Sequence, residues 1–365
     1  MTRLVGTLVT PDLTCLGQVE FGERITRITP LSPTEPMPGR YILPGFVDLH
    51  VHGGGGADGM DGEAAVRQMA RFHAQHGTTA LLATTITAPL AEIEAALRGI
   101  ARVVQHPGPG EARVLGVHLE GPFISPQKLG AQPPYAILPD LEVMRHLLHL
   151  APIRVVTLAP ELPGVLELIA FLKSRGVRVQ QGHTAATYVQ SREGFEAGAQ
   201  GFTHFFNAMT PLNHREPGVV GLGLERSEWA EVIPDGLHLH PAAMRTVWKT
   251  IPCTYAVTDA AAAAGMPEGG YHLGRHRVYK KGEGVFLADG TLAGSALTMD
   301  KAAQNLSRWG YALHDILQMT SSFAAQYIGL ESGLEVGRPA DLVVLGQHFE
   351  LEEVYLGGQK VGGPA

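Results

Sequence analysis

Eight short runs rich in Val, Ile, Leu and Thr alternate with amphipathic segments between Tyr41 and Ala260. Segments such as GEAAVRQMARFHAQHG and GVLELIAFLKSRG repeat apolar residues with the period of a helix. Strands that alternate with helices are typical of a parallel sheet built from βαβ units. Eight units predict an α/β fold, a (β/α)8 TIM-like barrel. The runs are ILPGFVDLHVH, TTALLATTI, RVLGVHLEG, IRVVTLAPE, VRVQQGHT, GFTHFFNA, AEVIPDGLHL and TYAVTDA.

The two ends of the chain have a different pattern. The first forty residues contain the short alternating pieces RLVGTLVT, CLGQVEFG and RITRITPL, which are typical of antiparallel strands. The tail GLEVGRPADLVVLGQHFELEEVYLGG is again β-like and follows two helical segments, LTMDKAAQNLSRWG and LHDILQMTSSFAAQYIG. We therefore predict a small β-sandwich domain formed by residues 1–43 and 337–365, with the catalytic barrel, residues 44–336, inserted between its halves.

Composition narrows the classes of partner. The net charge of -7 is spread along the chain without a basic block, so we expect neither nucleic acid nor a membrane surface as a partner. Cys15 and Cys253 are far apart and form no CxxC pair, which argues against a disulfide scaffold and against a thiolate metal site. No stretch reaches the roughly 18 apolar residues of a membrane span. These features predict a cytoplasmic protein.

Histidines and one acid lie at the ends of the strand-like runs. His50 and His52 are two apart on one strand and so face the same side, which the barrel geometry makes the interior. Glu120, His183 and His204 end three further runs. Each alone is explained by packing, with a strand histidine in the core or a carboxylate that caps a loop. Together they predict a metal site, because burying so many unpaired polar groups would otherwise be costly.

Asp259 lies at the end of the eighth run, in VTDAAAAAG, where small residues leave room beside it. One interpretation is an N-cap for the segment that follows. The other is a general base that takes a proton from water and returns it to a leaving group. The position on the same barrel rim as the predicted ligands favours the base.

Several motifs resemble those of the amidohydrolase superfamily, and within it the deacetylases of phosphorylated amino sugars. They are LPGFVDLHVHG, HLEGPF, GHTAAT, THFFNAMTPLNHREPG, PDGLHL, VTDA and DGTLAGSALTM, and the resemblance covers nearly the whole chain. It implies that Glu120, His183 and His204 hold the principal metal and that Asp259 is the catalytic base. It also implies a possible second ion at His50 and His52, with Glu120 bridging the two.

The resemblance further implies contacts with the substrate. Arg215 and His238 would hold a phosphate, although a salt bridge to Glu216 is an alternative role for Arg215. The other residues expected at the substrate are Ala131, Gln132, Asn207, Ala208, Leu292, Ala293, Gly294 and Ser295.

Gln132 departs from the family pattern. Members usually have a histidine at the end of the K-x-G-x-H-like segment, whereas this chain has Lys128-Leu129-Gly130-Ala131-Gln132. An amide can donate a hydrogen bond to a developing oxyanion but carries no charge, and a charge-assisted bond is roughly twice as strong. We expect turnover or substrate preference to differ from the family norm.

The function that the resemblance implies is the hydrolysis of N-acetylglucosamine 6-phosphate to glucosamine 6-phosphate and acetate in amino-sugar catabolism. One or two divalent ions per subunit are expected, zinc in the first place and iron as the alternative, in a homodimer. Two alternatives remain open. One is a related hydrolase acting on N-acetylgalactosamine 6-phosphate or another N-acyl compound, and the other is a catalytically silent barrel homologue.

Overall fold

The computed structural model describes residues 1–11, 14–32 and 39–362. Its strands are numbered in chain order. They are β1 (Thr2–Val9), β2 (Thr14–Phe21), β3 (Ile25–Ser32), β4 (Arg40–Pro44), β5 (Phe46–Val51), β6 (Gly53–Gly54), β7 (Ala57–Asp58), β8 (Thr78–Thr85), β9 (Arg113–Glu120), β10 (Ile153–Leu158), β11 (Arg178–Gln181), β12 (Gly201–Phe202), β13 (Trp229–Val232), β14 (Cys253–Ala256), β15 (Gly269–Leu273), β16 (His276–Lys281), β17 (Gly284–Phe286), β18 (Leu292–Ser295), β19 (Leu342–Gly346), β20 (Leu351–Leu356) and β21 (Gln359–Val361).

The helices follow the strands of the barrel in the predicted alternation. A 3-10 turn, Gly59–Asp61, precedes the first of them, and a π-helical turn, Gln318–Ser322, joins the last two. In the described residues, no helix is both long enough and apolar enough to cross a membrane. The helices are α1 (Glu63–Gln75), α2 (Leu90–Gln105), α3 (Leu141–Leu150), α4 (Val165–Ser174), α5 (Tyr188–Ala197), α6 (Gly218–Arg226), α7 (Pro241–Thr250), α8 (Met299–Arg308), α9 (Leu313–Leu317) and α10 (Phe323–Ile328).

The eight predicted barrel strands form one parallel sheet. Its order is β14-β13-β12-β11-β10-β9-β8-β5, so that each strand pairs with its neighbour in the sequence. The two edge strands meet just beyond their ends, where the Asp259 amide donates to the His50 carbonyl over 2.9 Å. The His52 amide donates to the Ala260 carbonyl over 3.0 Å. The sheet is therefore nearly closed, and the predicted (β/α)8 barrel is confirmed.

A second sheet contains strands from both ends of the chain, in the order β21-β20-β19-β4-β1-β2-β3. Three strands lie between β2 and β20, a separation of well over 10 Å in a flat sheet, since neighbouring strands are about 4.8 Å apart. Yet the rings of Phe21 and Tyr355 are 5.1 Å apart, so the sheet folds back over its own apolar core. This supports the predicted domain division at 1–43, 44–336 and 337–365, which remains a proposal. Residues 12–13, 33–38 and 363–365 lie outside the described part.

A four-stranded antiparallel sheet, β15 to β18, lies between the last barrel strand and α8. The sequence interpretation placed no strands in this segment. Its turns carry glycine, as in Gly274 and Gly282, both with left-handed φ. Leu273 and Leu292 of this sheet reach the mouth of the barrel. The sheet therefore forms one wall of the cavity described below.

Candidate metal centre and active site

The predicted ligands meet at the carboxyl end of the barrel, where each strand end delivers one or two side chains. Glu120 is the last residue of β9, and His183 and His204 each follow a strand by two residues. His183, His204 and Asp259 have left-handed φ angles of 47°, 29° and 49°. Such strained backbone persists only where the surrounding structure enforces it, and it concentrates at functional sites.

One group of donors consists of Glu120, His183 and His204. The Oε1 atom of Glu120 lies 3.2 Å from His183 Nε2 and 3.0 Å from His204 Nε2. The two imidazole nitrogens are 3.1 Å apart. All three ligand atoms lie within 4.8 Å of one another, so one ion could be held by all three residues.

A second group consists of His50, His52 and Asp259. Asp259 Oδ1 lies 3.4 Å from His50 Nε2 and 3.3 Å from His52 Nε2. The other oxygen of Glu120, Oε2, lies 3.1 Å from His52 Nε2. Glu120 therefore faces both groups, one with each oxygen, which is the arrangement of a carboxylate that bridges two ions.

The chemistry of these donors fits a divalent cation. The Nε2 atoms of His50 and His52 face each other 3.1 Å apart. In a hydrogen bond between them one nitrogen donates its proton and the other offers a lone pair, and a lone pair is what a metal ligand needs. Burial would raise the pKa of Glu120, yet the imidazoles of His50 and His183 hold that pKa well below its ordinary value. Burial would likewise raise the pKa of Asp259, and His50 and His52 lower it instead. Two ionised carboxylates among imidazoles are ligands that suit zinc or iron.

Two buried acids that the sequence interpretation missed support this centre. Glu231 Oε1 lies 2.7 Å from His50 Nδ1 and accepts the His204 amide over 2.9 Å. Asp48 accepts the Thr258 hydroxyl over 2.6 Å, and burial raises its pKa to about 7. A signal for both was present in the sequence. Asp48 shares a strand face with His50, and Glu231 is a lone acid in an apolar strand.

His118 is also buried, and the centres of its ring and the His50 ring are 4.6 Å apart. With His50 and Glu231 it forms a third group whose ligand atoms lie within 4.8 Å of one another, but both of its ring nitrogens have other partners. Its Nδ1 lies 3.0 Å from the Leu49 carbonyl oxygen and its Nε2 lies 2.7 Å from the Thr157 hydroxyl. Burial lowers the pKa of His118 to about 4, so the ring is neutral at pH 7. This agrees with a supporting position in the core.

All donors of the first two groups except His50 line a cavity of about 340 Å³. This is within the range of small-molecule sites. The wall from β15 to β18 adds Leu273 and Thr291, and Ile86, Lys128 and Gly130 also line the cavity. The predicted substrate residues that reach this cavity are Ala131, Gln132, Asn207, Ala208, His238, Leu292 and Gly294.

Three predicted substrate residues do not line the cavity. Ala293 and Ser295 alternate with Leu292 and Gly294 on β18 and face the other way, into buried surroundings. The Ser295 hydroxyl donates to the Thr258 carbonyl oxygen. Arg215 is exposed, outside the cavity of its own chain. Strand alternation and the course of the 211–216 loop thus place these three side chains outside the cavity of their own chain, and their contact with the substrate stays a prediction.

His238 is fixed on the cavity wall by an acid. Its Nδ1 lies 2.6 Å from Asp235 Oδ2, and the other oxygen of Asp235 accepts the His238 amide over 2.8 Å. Burial by itself lowers the pKa of His238, but the hydrogen bond to Asp235 outweighs it and raises that pKa. Asp235 therefore favours the protonated, positively charged form of the ring. His240, two residues on, is exposed and caps α7 instead.

Gln132 contacts a predicted ligand. Its Nε2 donates to Glu120 Oε2 over 2.6 Å, while its Oε1 accepts the Thr87 amide over 2.7 Å. The amide orientation is determined by these partners, since a backbone N–H only donates and an ionised carboxylate only accepts. Gln132 therefore holds the bridging carboxylate, a contact that the sequence did not indicate.

Comparison with known proteins agrees with this geometry. A sequence profile of the Amidohydrolase family matches residues 41–361. The chain is 41% identical over 346 residues to the N-acetylgalactosamine-6-phosphate deacetylase of Escherichia coli O157:H7, with 90% of each chain covered. It is 36% identical over 350 residues to the N-acetylglucosamine-6-phosphate deacetylase of Vibrio furnissii, with 93% of this chain and 86% of the relative covered.

The fold is likewise similar to that of a solved enzyme. The crystal structure of N-acetyl-D-glucosamine-6-phosphate deacetylase from Mycobacterium smegmatis superimposes with a TM-score of 0.92 at 32% identity. The match covers 99% of this chain and 100% of that one. On these matches and on its metal-type donor groups, the chain belongs to the amidohydrolase family of metal-dependent hydrolases.

Proposed function

We propose that the protein hydrolyses the acetamido group of N-acetylglucosamine 6-phosphate to give glucosamine 6-phosphate and acetate. The observation that carries this is one cavity lined by Asp259 and by donors from both groups, with His238 on its wall. The cavity can thus take a reacting amide at one place and an anionic group at another. Relatives named as deacetylases of acetylated amino-sugar phosphates support the same substrate class.

Glu120, His183 and His204 would hold the principal ion, and His50, His52 and Asp259 would hold a second one with Glu120 between them. A divalent ion at these positions supplies Lewis-acid activation of water and of the amide carbonyl. Zinc is the predicted metal and iron the alternative, because imidazole and carboxylate ligands suit both.

Asp259 is the proposed general base and acid. Its pKa is lowered by the neighbouring imidazoles, so the carboxylate is ionised and able to accept a proton from the attacking water. The same proton then passes to the amide nitrogen, the C–N bond breaks, and the products are acetate and the free amine. Asn207 and the amide of Gln132 line the same cavity and would orient the acetamido group.

His238→Ala is expected to raise KM for the phosphorylated sugar by about 10- to 100-fold, the value of losing a hydrogen bond to a charged group. The kcat for hydrolysis of the acetamido group should change little, because His238 lies on the cavity wall and not among the donor groups. Steady-state kinetics on N-acetylglucosamine 6-phosphate and on N-acetylglucosamine test this. His240→Ala is the matched control, and an equal effect on both sugars would contradict the phosphate role.

Arg215→Ala is expected to raise KM for the phosphorylated sugar far more than for its unphosphorylated analogue. Since Arg215 lies outside its own cavity, this proposal depends on a neighbouring subunit that brings the guanidinium to the phosphate, in keeping with the predicted homodimer. Mixing Arg215→Ala chains with Asp259→Asn chains gives the check. Partial recovery of phosphate-dependent activity in the mixture supports delivery between subunits, and none opposes it.

Gln132→Leu is expected to lower metal affinity by about 10- to 100-fold, the usual consequence of removing a group that orients a ligand. It should also destabilise the fold by about 1–3 kcal/mol, because the buried Thr87 amide loses its acceptor. Metal titration and thermal unfolding measure the two effects. Unchanged metal affinity would show that the Gln132–Glu120 hydrogen bond has no part in metal binding.

The galacto epimer is a second candidate substrate. The 41% identity to an N-acetylgalactosamine-6-phosphate deacetylase favours it specifically, and Gln132 replaces the family histidine beside the reacting amide. The ratio of kcat/KM for the two epimers decides between them. A ratio that favours the galacto sugar by tenfold or more would transfer the proposal to that substrate.

Zinc, homodimer formation, a cytoplasmic location and the absence of nucleic-acid and membrane partners remain predictions. The silent-homologue alternative predicts protein that binds no divalent ion and releases no acetate from either epimer. Every predicted ligand residue of both donor groups is present in this chain, which favours the active enzyme.

A further inference from the structure

We propose that Glu231 is a positioning residue that links the two halves of the metal centre. One of its oxygens, Oε1, contacts the His50 ring of one donor group and the His204 backbone of the other. The inference rests on the metal centre of the proposed function. It adds a residue that is not among the donors of either group and that acts through two of them, His50 and His204.

The contact with His50 determines which ring nitrogen faces the site. Glu231 Oε1 accepts the His204 backbone amide, because a backbone N–H only donates. The same oxygen lies 2.7 Å from His50 Nδ1, and a carboxylate oxygen that accepts both contacts requires His50 Nδ1 to carry a proton. In the neutral ring His50 Nε2 then carries no proton and can bind an ion; it lies 3.4 Å from Asp259 Oδ1 and 3.6 Å from Glu120 Oε2. Glu231 thereby sets the tautomer that His50 needs in order to be a ligand.

The contact with His204 stabilises a strained turn. The His204 amide donates to the same Oε1 over 2.9 Å, and His204 has φ 29°, in the left-handed region. The next residue, Phe205, donates its amide to the backbone carbonyl of Glu231 over 2.8 Å. Both hydrogen bonds hold the end of β12 against β13. This places the His204 imidazole 3.0 Å from Glu120 Oε1.

Glu231 is costly to keep as an acid for packing alone. Its side chain is 0% exposed, and its second oxygen, Oε2, has no hydrogen-bond partner in the described part of the chain. No lysine or arginine forms an ion pair with it among the described residues, and its charge faces the imidazoles of His50, His118 and His204. A buried carboxylate in this setting is explained by the hydrogen bonds with which it orients the histidine ligands.

Two substitutions separate the two contacts. Glu231→Gln keeps an oxygen that can accept the His204 amide but removes the charge that sets the His50 tautomer. Glu231→Ala removes both contacts. Glu111→Gln is the matched control, because Glu111 is also a buried carboxylate but pairs with Arg67 and Arg71 on the outside of the barrel.

The experiment titrates chelator-treated protein with Zn²⁺ and measures affinity and stoichiometry by calorimetry, with bound metal assayed by mass spectrometry. For Glu231→Gln we expect the second site, which contains His50, to lose about 10- to 100-fold in Zn²⁺ affinity. The affinity of the principal site should change less than threefold. For Glu231→Ala we expect both sites to weaken. Wild-type affinities at both sites in Glu231→Gln would overturn the proposal, as would a wild-type protein that binds only one ion.

A measurement on the unsubstituted protein covers the case in which the variants do not fold. The hydrogen-bonded Nδ1 proton of His50 should give a far-downfield proton NMR resonance coupled to histidine nitrogen. Its absence from the spectrum at low temperature would also overturn the proposal. Failure of the proposed function is a separate result, namely wild-type protein that binds two ions but releases no acetate.

Discussion

Asp259→Asn is expected to lower kcat for deacetylation by about 10²- to 10⁴-fold, the range that general acid–base catalysis contributes. Asparagine preserves the size of the side chain and its position at the end of the barrel. It removes the only function that Asp259 is proposed to have in proton transfer, because an amide cannot accept the proton from water. The ion held by Glu120, His183 and His204 should remain, since Asp259 is not among those donors.

Steady-state acetate release and metal content, measured on the same preparation, test this expectation. Asp140→Asn is the matched control, because Asp140 caps α3 at its N-terminus and asparagine caps equally well. Full activity in Asp259→Asn would remove Asp259 from the role of base. A loss of the principal ion together with activity would make Asp259 a ligand first and a proton carrier second.

Glu120→Gln is expected to have the other large effect, because each carboxylate oxygen of Glu120 faces one of the two donor groups. Replacing its carboxylate by an amide removes a negative charge from both positions. We expect metal content to fall below one ion per chain and activity to fall by more than about 100-fold, beyond the loss caused by removing a supporting residue. Metal analysis by mass spectrometry and acetate release measure the two losses.

Glu111→Gln again serves as a control for the loss of a buried carboxylate. If Glu120→Gln retained two ions and wild-type turnover, the bridging arrangement would be excluded. If it retained one ion and lost activity, the two groups would be independent, and only one of them would require Glu120.

The barrel and most of its ligands could be predicted from sequence because their signals are local. An apolar run that is followed by His183 or Glu120 indicates both where the strand ends and which side of the sheet the polar side chain faces. Parallel strands bring such ends together at one edge of the barrel. His50 and His52 were placed on one face by the period of the strand alone. The structure confirms that these ends meet in two donor groups.

The contacts of the supporting residues could not be predicted, because their partners are distant in the sequence. Glu231 is 181 residues from His50, and Gln132 meets Thr87 across two loops. Gln132 was expected to face a developing oxyanion, whereas one of its amide hydrogens is directed at Glu120. Such contacts depend on how the strand ends close the barrel, which a local pattern does not encode.

The wall of the cavity was missed for a different reason. Strands β15 to β18 are short and rich in glycine and charge, so their alternation is weak beside that of the barrel strands. On β18, alternation then decides that Leu292 and Gly294 face the cavity and that Ala293 and Ser295 do not. Recognising β18 in the sequence would have predicted that only two of the four side chains face the cavity.

Acetate release from N-acetylglucosamine 6-phosphate by chelator-treated protein, titrated with Zn²⁺ and with the bound metal assayed in every sample, tests the central claim most directly. We predict no acetate without metal and a rise in turnover as the donor groups at the barrel mouth are filled. Free amine should appear in equal amount. Acetate release that is unaffected by complete metal removal, or none at full occupancy with this sugar or its galacto epimer, would contradict the account.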